Sequence, residues 1–74
     1  MEKRQVRNMK VYVEKERKYR SVSARVAGTV AELLDRLKIN PSTVLVVRNG
    51  HLVTESAKLK DSDEIKIISV VSGG

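Results

Sequence analysis

The chain has 74 residues, of which 41% are hydrophobic, 3% aromatic and 32% charged, and its net charge is +6. This length provides one small domain, and no apolar run approaches the roughly 20 residues that span a bilayer. Because the sequence contains no cysteine, disulfides, thiol catalysis and thiolate metal sites are excluded. Residues 1–5 lack the apolar stretch of a signal peptide, so we expect a cytoplasmic protein without membrane contact.

The positive charge is concentrated at the start of the sequence. Residues 1–20 contain eight Lys or Arg and three acidic residues, which accounts for +5 of the net charge of +6. A basic surface can attract nucleic acid or an acidic protein. Nucleic-acid binders usually combine such charge with stacking aromatics, but Tyr12 and Tyr19 belong to no recognisable RNA-binding motif. A solvated basic edge is therefore the favoured interpretation.

Two alternating segments predict an N-terminal hairpin. Apolar residues at every second position from Met9 to Val13 indicate a half-buried strand. The polar residues 14–18 follow as a turn. A second alternation, with apolar residues at positions 22, 24 and 26, predicts the return strand of the hairpin.

The period of the apolar residues then changes to that of a helix. The spacing i, i+3, i+4 and i+7 is occupied by Val30, Leu33, Leu34 and Leu37. Thr29 and Glu32 stand at the positions of a capping box, which satisfies backbone N–H groups at the start of a helix. Since the residue before a proline is disfavoured in the helical conformation, Asn40-Pro41 should end the helix by about Ile39. We expect an amphipathic helix whose apolar stripe lies in the core.

The following segment predicts a strand, a tight turn and a short strand. Residues 43–47 form a β-branched run that is apolar at both parities, which is typical of a central strand. Asn49-Gly50 is a strong hairpin signal because both turn residues need a positive φ. Residues 51–53 would form the short return strand.

The remaining residues complete the element order of a β-grasp fold. Leu59 should fill the core from a polar loop, residues 61–64 should form a turn, and residues 64–71 the last strand. We therefore predict an α+β protein in which one helix packs across a mixed sheet of four or five strands. The last strand should lie parallel to the first. We expect a single domain over residues 1–71 and a flexible tail over residues 72–74.

Three segments carry a resemblance to a known family: residues 44–50 (VLVVRNG), 59–65 (LKDSDEI) and 70–74 (VVSGG). From about Thr29 to its end, the chain resembles the MoaD/ThiS family of sulfur carriers and the related ubiquitin-like small archaeal modifier proteins. The most persuasive part is the diglycine directly after the last strand. One departure is Ser62, where the family usually has Gly, and it concerns stability rather than function.

The resemblance implies a carrier that is the substrate of other proteins and not itself an enzyme. A MoeB/ThiF-like activating enzyme, to which ATP and magnesium belong, would adenylate the carboxylate of Gly74, and a sulfur nucleophile would then form a thiocarboxylate. The sulfur would pass to an acceptor such as molybdopterin synthase or thiazole synthase, or into tRNA thiolation. Gly73 and Gly74 would enter the nucleotide pocket, since no Cβ obstructs them. The approach channel would hold Val70, Val71 and Ser72.

We expect the partner to dock on the sheet face opposite the helix. Alternation in the last strand favours burial of Ile65 and Ile67, and leaves Ile68 and Val70 on the open face. Val46 or Leu45 would join Ile68 there, and the two parities of residues 43–47 leave that choice open. Alternatively, these are ordinary core residues of a small domain. The free protein is expected to be monomeric.

Two further functions remain alternatives at this point. The first is a ubiquitin-like modifier conjugated through Gly74 to lysines of other proteins, and the second is a nucleic-acid-binding module that uses the basic N-terminal hairpin. An enzyme finds little support, since a single histidine, His51, without any cysteine provides no common nucleophile–base pair and no zinc site. The acidic residues of the turn over 61–64 are expected to cap the turn and not to bind a cation.

Overall fold

The computed structural model describes residues 8–70 of the chain, so the tail predicted over residues 72–74 lies outside the described part. The elements are β1 (Met9–Val13), β2 (Lys18–Val22), α1 (Val30–Arg36), a 3-10 helix (Pro41–Thr43), β3 (Val44–Arg48), β4 (His51–Val53) and β5 (Glu64–Ser69). The strands form one five-stranded sheet in the order β2-β1-β5-β3-β4. Within residues 8–70, no helix is long and apolar enough to cross a membrane.

The first strand, β1, and the central strand, β5, are neighbours and run parallel. Val11 lies opposite Ile65 and Val13 opposite Ile67, whereas the other three strand pairs are antiparallel. Because β1 and β5 run in the same direction, the end of β5 lies at the same edge of the sheet as the β1–β2 turn. This mixed sheet with one helix confirms the predicted β-grasp fold, including the parallel pairing of the first and last strands.

One face of the sheet and the apolar stripe of α1 form the core. Its buried members are Met9, Val11, Val13, Val22, Ala27, Val30, Leu33, Leu34, Val46, Leu59, Ile65 and Ile67. Side chains alternate between the two faces of a strand, so every second residue of β1 and β5 reaches this core. Leu59 enters it from the loop before β5, as predicted from the sequence.

The ends of α1 are fixed by local hydrogen bonds. Thr29 Oγ1 accepts a hydrogen bond from the Glu32 amide (3.2 Å), and Glu32 Oε1 accepts one from the Gly28 amide (2.8 Å). The glutamate thus reaches one residue further back than a capping box requires. The helix ends at Arg36 with Leu37 as its C-cap, before the limit set by Asn40-Pro41. Lys38 follows in the left-handed region, with a φ of 60°.

The return strand of the first hairpin begins earlier than the alternation predicted. The structure places β2 at Lys18–Val22 and puts Ala24 and Val26 in a turn. A tight turn over residues 14–17 sets this register, since the Arg17 amide donates to the Glu14 carbonyl (3.1 Å). The prediction over positions 22–26 was wrong because β2 is an edge strand with exposed side chains at its first four positions, and it therefore shows no apolar alternation.

Candidate functional site

The chain leaves β5 between two anchoring contacts. The Ser69 amide donates to Glu14 Oε1 at the β1–β2 turn (3.3 Å), and the Val70 amide donates to the Thr43 carbonyl (2.9 Å). The Glu14 amide in turn donates to the Ile67 carbonyl (3.0 Å). Because Glu14 and Thr43 lie on opposite sides of β5, they fix the position of the chain as far as Val70. No local pattern in the sequence predicted the role of Glu14, because that role depends on the parallel pairing of β1 and β5.

An apolar surface lies on the sheet face opposite α1. Strand register pairs Leu45 with Ile68 and Val47 with Leu52. We call the following residues the open-face patch: Leu45, Val47, Leu52, Ile68 and Val70. Within it, Leu45, Leu52 and Val70 are 44%, 63% and 49% exposed. A contiguous exposed apolar surface of this kind is typical of an interaction site.

The strand register also shows which of the two β3 residues predicted from the sequence, Leu45 or Val46, lies on the open face. Val46 lies opposite Ile67 and is only 4% exposed, so its side chain belongs to the core and not to a docking surface. Leu45 has the opposite parity, because neighbouring residues of a strand face opposite sides of the sheet. Of the predicted docking residues, Leu45 and Ile68 therefore lie on the open face and Val46 does not.

An aromatic pair extends the open face towards β2. Tyr12 and Tyr19 are opposite each other across the first hairpin, with ring centroids 5.0 Å apart and an angle of 59° between the ring planes. Lys66 lies beside Tyr12 on β5. The pairing of the two tyrosines depends on the turn over residues 14–17, which the alternation of apolar residues does not reveal.

A buried carboxylate joins the two turns that precede β5. Asp63 is 5% exposed and accepts hydrogen bonds from Arg48 Nε (2.8 Å), Asn49 Nδ2 (2.9 Å) and the Lys60 amide (2.8 Å). Burial raises the pKa of the Asp63 carboxyl, but the hydrogen bonds from Arg48, Asn49 and Lys60 outweigh burial and hold this pKa below its ordinary value. Asn49 Oδ1 also accepts a hydrogen bond from the Glu64 amide (2.9 Å). The start of β5 is thereby tied to the Asn49-Gly50 turn.

The acidic residues of the turn before β5 serve the fold. Asp61 Oδ1 accepts a hydrogen bond from the Ala24 amide (2.7 Å). The Asp63 carboxylate accepts its hydrogen bonds from Arg48, Asn49 and Lys60. Across residues 8–70, no three His, Asp or Glu side chains lie close enough together to hold a metal ion. His51 is exposed on β4, and the sequence contains no cysteine that it could activate.

Together, the sheet order, the anchored end of β5 and the open-face patch define the class: a small β-grasp protein whose last strand lies in the middle of the sheet. The chain belongs to the ThiS family, whose family model matches residues 10–74. It is also similar to the sulfur carrier protein TtuB of Thermus thermophilus, with 37% identity over 43 residues. Proteins of this type are small carriers and not enzymes.

The extent of these matches differs. The family match continues to residue 74 and so includes Val71, Ser72, Gly73 and Gly74, which lie outside the described residues. The similarity to TtuB covers 58% of this chain and 66% of the relative, slightly under two thirds of its length. The resemblance noted from the three sequence segments is thus confirmed for the family.

Proposed function

We propose that this protein is a sulfur carrier that holds sulfur as a thiocarboxylate on Gly74. The observation that carries the proposal is the family match, which extends over the β-grasp fold and on to the diglycine. The name of the Thermus relative, a sulfur carrier protein, supports the same function. The absence of cysteine from the sequence is consistent with it, since no side chain here offers a thiol.

The chemistry begins at the carboxylate of Gly74, which is a poor electrophile. A carboxylate oxygen attacks the α-phosphorus of ATP in a MoeB/ThiF-like activating enzyme, and pyrophosphate leaves. A sulfur nucleophile of the partner system then attacks the carbonyl carbon of the acyl-adenylate, and AMP leaves with the former carboxylate oxygen. If the nucleophile is a persulfide, a thiol must afterwards cleave the resulting acyl disulfide to release the thiocarboxylate.

The residues of this chain position the reacting group and do not catalyse the reaction. Glu14 and Thr43 hold the chain at Ser69 and Val70, and the four residues from Val71 to Gly74 span at most about 13 Å when extended. The narrow glycines enter the nucleotide pocket, while Val70, Val71 and Ser72 occupy its approach. Holding a reacting group at a fixed site lowers the entropic cost of its reaction.

The open-face patch is the proposed docking surface for the activating enzyme. Its exposed members are aliphatic, and they lie on β3, on β4 and directly after β5, the strand that leads into the tail. Burial of apolar side chains at such a surface provides about 25 cal/mol for each Å² removed from water. The same face is available for the acceptor that later takes the sulfur, in the synthesis of molybdopterin or thiamine or in tRNA thiolation.

The test is ATP–pyrophosphate exchange with the purified activating enzyme of the same cell. We expect exchange that depends on this protein and is lost when Gly73 and Gly74 are deleted. The deletion should leave thermal unfolding unchanged, because glycine has no side chain that could pack in the core. Exchange that is equally strong with the deleted protein, or absent with the intact one, would overturn the proposal.

A further inference from the structure

A concave surface lies at the end of β5, on the side of the sheet that carries α1. It is a cleft of about 840 Å³ between the β1–β2 turn and the segment that follows α1. We call it the exit cleft. Its apolar lining consists of Val13, Leu37, Ile39, Val44 and Ile67. Leu37, Ile39 and Val44 are only partly buried and pack against the core, so apolar surface of the core continues into the cleft.

The rim of the exit cleft is cationic. Lys15 and Lys38 line it and are exposed. The ion pairs found between residues 8 and 70 include neither of them. Glu16 also lines the cleft, but its carboxylate is bound to Arg20 (3.1 Å). Two lysine charges therefore remain without a partner inside the described part of the chain.

The position of Lys38 is set by the end of α1. Its amide donates to the Asp35 carbonyl (3.1 Å), and its φ of 60° turns the chain out of the helix. The end of α1 thus positions Lys38 at the cleft, and the β1–β2 turn positions Lys15 there.

The exit cleft is adjacent to the point where the chain leaves the sheet. Thr43 and Ser69 line it, and these residues belong to the contacts that anchor the end of β5. An extended segment of four residues reaches about 13 Å. A partner that holds Gly74 must therefore come close to this edge of the sheet, where both the exit cleft and the open-face patch lie.

We propose that the exit cleft receives an apolar side chain of the activating enzyme together with a neighbouring carboxylate, which pairs with Lys15 and Lys38. This inference rests on the proposed function and extends it, since it gives the enzyme a second point of contact and assigns that contact its chemistry. The apolar side chain covers the exposed part of the core, and the carboxylate offsets one of the two lysine charges. Rim charges of this kind act mainly on association and not on the chemical step.

Charge reversal with a matched control tests the inference. We compare two double variants. The cleft double combines Lys15→Glu and Lys38→Glu, and the control double combines Arg25→Glu and Lys58→Glu. Arg25 and Lys58 are exposed. Lys58 forms an isolated β-bridge with Thr29, which lies at the start of α1, whereas Lys38 lies after its end. Both doubles change the net charge equally, so general electrostatic steering is the same. For the cleft double we expect the KM of the carrier in pyrophosphate exchange to rise about tenfold at unchanged kcat, and for the control about twofold or less.

The outcomes separate the inference from the proposed function. If wild-type protein is adenylated and the two doubles have the same KM, the exit cleft is not a contact and the inference is wrong, while the proposed function stands. If wild-type protein is not adenylated at all, both are wrong. Thermal unfolding of each double shows whether a change in KM reflects loss of folded protein.

Photo-crosslinking provides a second measurement that does not depend on charge reversal. A benzophenone side chain is placed at Lys38, at Arg25 as a control, and at Leu45 on the open face, and each protein is illuminated with the purified activating enzyme and ATP. We expect Lys38 and Leu45 to cross-link and Arg25 not to. The peptide joined to Lys38 should contain Asp or Glu beside an apolar residue, and a peptide without an acidic residue contradicts the inference.

Discussion

Asp63 is the residue on which the start of β5 depends. Its carboxylate accepts two side-chain donors and one backbone donor, and its side chain is 4% exposed against 31% for Arg48. A buried carboxylate that loses its charge leaves its donors poorly matched, and an unsatisfied buried donor costs about 1–3 kcal/mol. The Arg48–Asp63 pair thus differs from an exposed ion pair such as Glu16–Arg20, which contributes little to stability.

We expect Asp63→Asn to lower the free energy of unfolding by about 2 kcal/mol at pH 7, because the amide directs two N–H groups towards donors that need an acceptor. Urea unfolding followed by circular dichroism measures this. Asp35→Asn is the control, since Asp35 is exposed on α1 and should change stability by no more than about 0.5 kcal/mol. Equal effects of the two substitutions would contradict the assigned role of Asp63.

Low pH should remove the contribution of Asp63 to the free energy of unfolding. The hydrogen bonds hold its pKa in the folded protein below the ordinary value of 3.8. The stabilisation is therefore fully present above pH 3.8 and is lost as the pH falls through the lower pKa of the folded state. The difference in unfolding free energy between wild type and Asp63→Asn should be constant between pH 5 and pH 7 and should shrink below about pH 4. A difference that stays the same down to pH 2 would rule out this explanation.

At the scale of elements, the first hairpin depends on a residue in an unfavourable conformation. Arg17 closes the β1–β2 turn with a φ of 54°, in the left-handed region that disfavours residues with a Cβ. The tight turn that it closes sets the register of β2, and hence the pairing of Tyr12 with Tyr19. It also places Glu14 where it can bind the end of β5.

Arg17→Gly should therefore stabilise the protein by up to about 1 kcal/mol, since glycine adopts a positive φ without a steric cost. The matched control is Lys18→Gly, one residue further along and inside β2, which should destabilise by about 0.5–1 kcal/mol. Thermal unfolding should therefore show a higher midpoint temperature than wild type for Arg17→Gly and a lower one for Lys18→Gly. If Arg17→Gly were as harmful as Lys18→Gly, the strained turn would not be the feature that limits the hairpin.

The sequence predicted an element wherever its pattern reflected burial on one side. The stripe of α1 and the alternation of Ile65 and Ile67 were both correct, because each element has one covered face. The pattern failed at β2, whose exposed edge position leaves no alternation, and it left Leu45 and Val46 undecided, because β3 is apolar at both parities. The contacts of Glu14 and Asp63 required strand pairing and turn geometry that no local pattern contains.

At the scale of the whole molecule, the two faces of the sheet have different roles. The face towards α1 holds the core, and the opposite face presents the open-face patch beside the strand that leads to the tail. Exposed aliphatic side chains that do not stabilise the fold can be changed without unfolding it. Docking and stability should therefore be separable by mutation.

We expect Leu45→Asp to raise the KM for the activating enzyme at least tenfold, because truncating or charging a central apolar contact at an interface costs about 1–2 kcal/mol or more. Leu45 is 44% exposed, and Val26, on the turn before α1, is 48% exposed. Val26→Asp is therefore the control for adding a charge at an exposed apolar position, and it should leave KM within about twofold of wild type. A similar KM for both variants would show that the open-face patch is not the docking surface.

The most direct test of the sulfur-carrier proposal is the intact mass of this protein isolated from its native cell under conditions that preserve thioacids. We expect a fraction of molecules in which one oxygen of the Gly74 carboxylate is replaced by sulfur, and fragment ions should place the change at Gly74. Finding only the free acid in cells with active sulfur transfer, with no acyl-adenylate formed by the activating enzyme, would contradict it.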